Sequence, residues 1–222
     1  MGIITVDKSD HLFWLGRYTE RVHTTLKHYF KSTDKMLDND PQCYSEYCKK
    51  IGIPDSYGSR EVFVSKYPFD ETDPNSVISN LNRAYDNAIV MRDYIGTETM
   101  AYIQLAIDDI KTAQRSDAPL ADLMLAVDHI LAFWGCVNDL IDDESIRNII
   151  KLGKGVERID LYLSLDCSAY EIKREYGRMK QFLSKSHMRY DENIIYTIDS
   201  MLESDSFDYI NVRNLLRNLF NV

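Results

Sequence analysis

Leu12-Phe-Trp-Leu-Gly-Arg-Tyr-Thr-Glu-Arg-Val22 returns later in the chain as Ile149-Ile-Lys-Leu-Gly-Lys-Gly-Val-Glu-Arg-Ile159. Leu, Gly, Glu and Arg are identical between the copies, Arg17 matches Lys154, and apolar residues surround both. At 100° per residue, Leu15, Thr19, Val22 and Leu26 fall on one side of a helix, and Arg17, Glu20 and Arg21 on the other. Phe13 and Trp14 overlay the polar side of the first copy, and Ile150 and Leu161 that of the second. Helices this apolar all round are expected to be buried. A buried charge must be paired and hydrogen-bonded, so Glu20 and Glu157 are each expected to be clamped by an arginine from another helix. Gly16 and Gly153 stand inside these helices at a cost of roughly 1 kcal/mol relative to alanine, which points to two backbones in close approach.

Repeats of this kind, here over residues 12–30 and 149–167, predict an internal pseudo-two-fold. The remaining sequence fits one all-α domain over residues 1–222, with 45% hydrophobic residues for a core and little turn punctuation from 9 Gly and 5 Pro. Ser9 or Asp10 is expected to cap a first long helix running to about Met36. Residues 38–73 read as irregular, with short helices at 44–51 and 60–66. Further helices are predicted at 75–94, 97–114, 119–140 and from Asp142 or Asp143 to about Leu165, followed by 170–186, 192–202 and 209–219. Short connections between long amphipathic helices predict an antiparallel bundle.

The net charge of −9 argues against a nucleic-acid partner. The four cysteines read as reduced thiols, and the start of the chain carries no secretory h-region, so a cytoplasmic location is expected. No apolar run approaches the roughly 20 residues that span a bilayer, and Asp128 and His129 interrupt the most apolar stretch, so no membrane partner is expected. A homo-oligomer is compatible with this composition.

Three segments in order carry a resemblance to a known family. Phe13-Trp14-Leu15-Gly16-Arg17 with Glu20-Arg21 forms the first. Asn75-Ser76-Val77-Ile78, Asn87-Ala88, Arg92-Asp93-Tyr94-Ile95 and Glu98 form the second. Leu152-Gly153-Lys154, Glu157-Arg158 and Asp160 form the third. Over most of residues 10–165 the chain thus resembles the alpha-E family, bacterial helical proteins with a Glu-Arg motif. Lys154 replaces an arginine of the family pattern, and His23 stands where Asn or Asp is usual. The resemblance implies association with circularly permuted ATP-grasp amide ligases and transglutaminase-like proteins, in synthesis or modification of a peptide or amide-linked metabolite. The chain has no glycine-rich phosphate loop of its own, so neither ATP nor another cofactor is expected.

Three readings of the charged set stay open. In the first, Arg17, Glu20, Arg21, Arg92, Asp93, Glu98, Glu157 and Arg158, with Asn87, Lys154 and Asp160 beside them, form an ion-pair network fixing helix register. In the second, Arg17, Arg21, Arg92 and Arg158 offer forked donors to a carboxylate or phosphate of a peptide or amino-acid ligand. In the third, Glu20-x-x-His23 with Glu98 and Glu157 presents metal ligands, or the glutamates do acid/base chemistry. Asp128-His129 reads as an interface site or an acid/base pair, and Asp142-Asp143-Glu144 as a helix N-cap cluster.

Overall fold

The computed structural model describes residues 4–38, 43–204 and 206–221; residues 39–42, including Pro41 of the expected irregular region, lie outside them. Its helices are α1 (Val6–Asp38), α2 (Cys43–Ile51), α3 (Arg60–Lys66), α4 (Val77–Val90), α5 (Arg92–Ile95), α6 (Thr97–Ala113), α7 (Pro119–Asp139), α8 (Glu144–Ser164), α9 (Ala169–Ser186), α10 (Glu192–Glu203) and α11 (Tyr209–Asn218). The fold is all-α, and the described residues include no strand.

Local chemistry sets most of these boundaries. Asp143 caps α8 by accepting from Ser145 and Ile146 N–H, and Ser168 with Glu171 forms a capping box at α9. Two expectations change. Ser9 and Asp10 do not start α1, which begins one turn earlier; Ser9 Oγ instead donates to Thr5 O. The helix expected over 75–94 breaks at Met91, where Tyr94 N–H bonds back only three residues to Met91 O.

Neighbours joined by short connections run antiparallel, as α8 and α9 do: Lys151 meets Phe182, Gly155 meets Met179 and Arg158 meets Glu175, one number rising as the other falls. The central pair departs from the antiparallel expectation. Gly16 faces Ile150 and Lys154, Gly153 faces Phe13 and Arg17, Arg21 meets Glu157, and Arg158 meets Glu20. The numbers rise together, so α1 and α8 lie parallel with their motif copies in register. Backbone contact at the glycines explains the arrangement. A Cβ on Gly16 would collide with the carbonyl oxygen of Ile150 and lie 3.0 Å from its carbon; one on Gly153 would meet Phe13 in the same way. Since Phe13 and Ile150 are matched positions, each copy seats its glycine against the same backbone group of the other.

Around this crossing Leu12, Leu15, Leu26 and Leu152 are fully buried, each worth about 1.5–3 kcal/mol. The region expected to be irregular is organised by aromatic rings: Phe63 stacks on Tyr67 at 4.8 Å, and Tyr29, Tyr47 and Tyr57 pack around them. Among the described helices, α7 alone is long and apolar enough by length and composition to cross a membrane. In this fold it packs along α6, with its His129 paired to Asp109 there.

Gly16→Ala and Gly153→Ala should each lower unfolding free energy in urea by about 2 kcal/mol, overriding alanine's better helix propensity. Gly135→Ala in α7, where a Cβ meets nothing within 4 Å, should raise it by about 0.5–1 kcal/mol. Equal responses at all three glycines would rule out the close crossing.

Candidate functional site: a buried glutamate–arginine cluster

One turn beyond each glycine, α1 and α8 turn a glutamate inward, and neither Glu20 nor Glu157 has any exposed surface. Glu157 receives Arg17 Nε at 2.7 Å on Oε2 and Arg21 Nε at 2.6 Å on Oε1. Glu20 Oε1 receives Arg158 Nε at 2.6 Å and the Thr24 hydroxyl at 2.9 Å, whereas Oε2 has no hydrogen-bond partner among the described residues. The arginine of each Glu-Arg pair therefore serves the glutamate of the other.

The exchange is symmetric except at one position. Arg17 reaches Glu157, but its counterpart Lys154 makes no ion pair among the described residues and holds its ammonium 3.8 Å above the Trp134 ring. A lysine carries its charge at one terminal atom and lacks the side-facing Nε–H with which Arg17 engages Oε2. Burial pushes the Lys154 pKa down to about 8, with Glu20 opposing the shift. Burial also acts to raise the pKa of Glu20, but His23 and Arg158 outweigh it and hold the carboxyl at about 2. His23 Nδ1 lies 3.6 Å from Glu20 Oε1, beyond hydrogen-bond range.

Helices α9 and α11 extend the cluster with residues that the motif reading missed. Arg213 and Arg217 both bind Asp160, at 3.0 and 2.8 Å, and outweigh the burial that would raise its pKa. Glu175 accepts from Arg158 at 3.3 Å, Arg174 at 3.1 Å and Arg178 at 2.8 Å. Arginines one helical turn apart, as at 174/178 and 213/217, were the available signal. Arg17, Arg21, Lys154, Arg158 and these four supply eight cations against four carboxylates, an excess of four positive charges in a chain of net −9.

Four expected members do not join. Met91, Ile95 and Thr99 form the buried stripe of α5 and the start of α6, which turns Arg92, Asp93 and Glu98 to the opposite, exposed face. Asp93 and Glu98 line a shallow cleft there with Asp142 and Asp143. Asn87 stays apart too, bonded to His11 Nδ1 at 2.8 Å and Arg83 O at 2.7 Å. The four metal candidates do not converge: His23 adjoins Glu20, Glu98 is elsewhere, and both Glu157 oxygens hold arginines. The described residues contain no group of three His, Cys, Asp or Glu placed to hold a metal. Glu20, its carboxyl held at about 2, is a poor proton acceptor near neutrality. His129 pairs with Asp109 across the α6–α7 hairpin at 2.5 Å, not with its neighbour Asp128, which is exposed.

Beside the cluster lies a cavity of about 120 Å³ lined by Arg21, Arg217, Asp160, Tyr67, Asn75 and Asn80, among others. Arg21 spends its Nε on Glu157, and its two terminal nitrogens make no hydrogen bond among the described residues. Asn80 is buried and its Oδ1 has no hydrogen-bond partner among the described residues.

The family model Alpha-E, described as a predicted alpha-helical domain with a conserved ER motif, matches residues 8–206. That span contains both Glu-Arg pairs and stops short of α11. No curated protein and no solved structure matches the chain.

Glu157→Gln should cost about 3 kcal/mol in chemical unfolding, because it strands Arg17 and Arg21 together. Glu20→Gln should cost less, since Arg158 retains Glu175. Wild-type stability in both variants would remove the buried network. Lys154→Arg should add about 2 kcal/mol at pH 7 by supplying Glu20 Oε2 with a donor. With a folded pKa of about 8 against an ordinary 10.5, Lys154 binds its proton less well in the native state. Its penalty is full below pH 8 and fades as pH rises toward 10.5. Unfolding measured from pH 7 to 10 should show that rise in the wild type and not in Lys154→Arg.

Proposed function

Since the chain belongs to the Alpha-E family, we propose that it is a helical binding component of a system that makes or modifies amide bonds, holding an amino-acid or peptide ligand beside Arg21. The cavity next to the cluster carries this reading. Asp160 is held by Arg213 and Arg217, while Arg21, with terminal donors unused among the described residues, lines the same space. Arg21 and Arg217 against Asp160 give the lining a net positive charge that favours an anionic group, and a guanidinium fork matches a carboxylate. Asn80 Oδ1 supplies an acceptor that an amide or ammonium N–H satisfies. A volume of about 120 Å³ holds several waters, or one carboxylate with the adjoining amide, so the cavity takes the end of a ligand rather than a large molecule. In this reading the bond-forming steps fall to an ATP-grasp ligase or a transglutaminase-like partner, the associates that the family resemblance implies. A cytoplasmic setting suits such a role.

Thermal unfolding with a panel of free amino acids and dipeptides tests the proposal. At least one member should stabilise the protein, by about 2.7 kcal/mol at a hundredfold excess over Kd. Arg21→Gln should abolish the gain while keeping the fold, because Arg17 still holds Glu157. A panel without effect, or a gain unchanged in Arg21→Gln, would defeat it.

A further inference from the structure

Residues 97–143, which form the α6–α7 hairpin and lead to α8, contain nine Asp and Glu against only Lys111 and Arg115, a net −7 out of the chain's −9. The same hairpin exposes large apolar side chains. Met124, Leu125 and Leu131 of α7 are 47%, 52% and 52% exposed. At 100° per residue they fall on one stripe with Ala121, Asp128, Ala132, Gly135 and Asp139. Residues of the opposite side, Leu123, Val127, Ile130, Phe133 and Val137, are buried. The outward stripe is therefore not the packing face of α7.

Gly135 lies on this stripe in mid-helix, where it costs about 1 kcal/mol relative to alanine. Gly16 and Gly153 are required by the α1–α8 crossing, but among the described residues nothing requires Gly135, since a Cβ there meets no atom within 4 Å. With Ala132 it leaves a low place where another backbone could lie close.

We propose that the outer face of α7 is a docking surface for a helix of another protein, one with an apolar side flanked by Lys or Arg. Charge selects this occupant. The apolar side chains match an apolar helix face, and Asp128 and Asp139 along the centre of the stripe match its cations. A second copy of the chain would bring −7 against −7 with those aspartates opposed, and an anionic lipid surface would be repelled in the same way. At 21 residues α7 spans about 30 Å, enough for five to six turns of a partner helix. The surface is separate from the cavity at Arg21, so either proposal can fail alone.

The test uses a labelled amphipathic peptide of about 18 residues with a leucine face flanked by lysines, and its counterpart with glutamates in place of the lysines, read by fluorescence anisotropy at about 150 mM salt. The lysine peptide should bind at least roughly tenfold tighter than the glutamate peptide. Leu125→Ser/Leu131→Ser, which leaves charge and core intact, should weaken it by at least roughly tenfold. Absence of binding, or binding unaffected by the double substitution, overturns the proposal. It is equally overturned if sedimentation shows a dimer of the protein that the double variant dissolves, which makes a second copy the occupant. Retention on neutral phosphatidylcholine vesicles, lost in the same variant, makes lipid the occupant and overturns it too.

Discussion

A carboxylate with no water around it stays ionised only if a guanidinium comes to it, and for Glu20 and Glu157 that guanidinium comes from the opposite helix. Each Glu-Arg pair is incomplete by itself. The glutamate must point inward to meet its partner, and the arginine one residue on must reach across to serve the other copy. This fixes the relative height and direction of α1 and α8: a slip of one turn would leave Glu20 and Glu157, with Arg17 and Arg21, without these partners in a desiccated interior. The glycines one turn earlier make the exchange sterically feasible by bringing the two backbones together.

The exchange also organises what lies outside it. Arg158 has donors beyond those that Glu20 uses and spends one on Glu175, which draws α9 into the same electrostatic unit. Asp160, three residues past Glu157, does the same for α11 through Arg213 and Arg217. The copies are nevertheless unequal. With Lys154 in place of an arginine, Glu20 keeps one oxygen unserved, and the ammonium rests against an aromatic ring instead of an anion. The first copy's Arg21 retains unused donors beside a cavity, so α1 contributes both the better-satisfied pairing and the open one.

Much of this was legible from residues alone. Hydrophobic periodicity and cap chemistry located nearly every helix to within a few residues, because long amphipathic helices with Ser or Asp at their starts leave little ambiguity. The clamped glutamates and close glycines were legible for a related reason: a buried charge and a mid-helix glycine each need a partner, whatever the topology. The parallel course of α1 and α8 was not, since periodicity carries no information on direction and short loops speak only for sequence neighbours. Arg92, Asp93 and Glu98 were expected in the cluster on motif resemblance; the four-residue spacing of Met91, Ile95 and Thr99 along the same segment could have argued otherwise. Arg213 and Arg217 were missed because their motif-like signal, two arginines a turn apart, is common on exposed helices. The cavity depends on how Tyr67, Asn75 and Asn80 meet α1 and α8, which is a property of packing alone.

The reciprocal pairing has a consequence for how the chain is made. Glu20 and Arg158 are 138 residues apart in sequence. At about 5–20 residues per second, the first motif leaves the ribosome roughly 7–28 s before its partner exists. During that interval the most apolar face of α1 and its glutamate have no native counterpart. A nascent chain of this design must shelter α1 against α4 or a chaperone until α8 is synthesised, and its assembly can finish only when the second copy arrives.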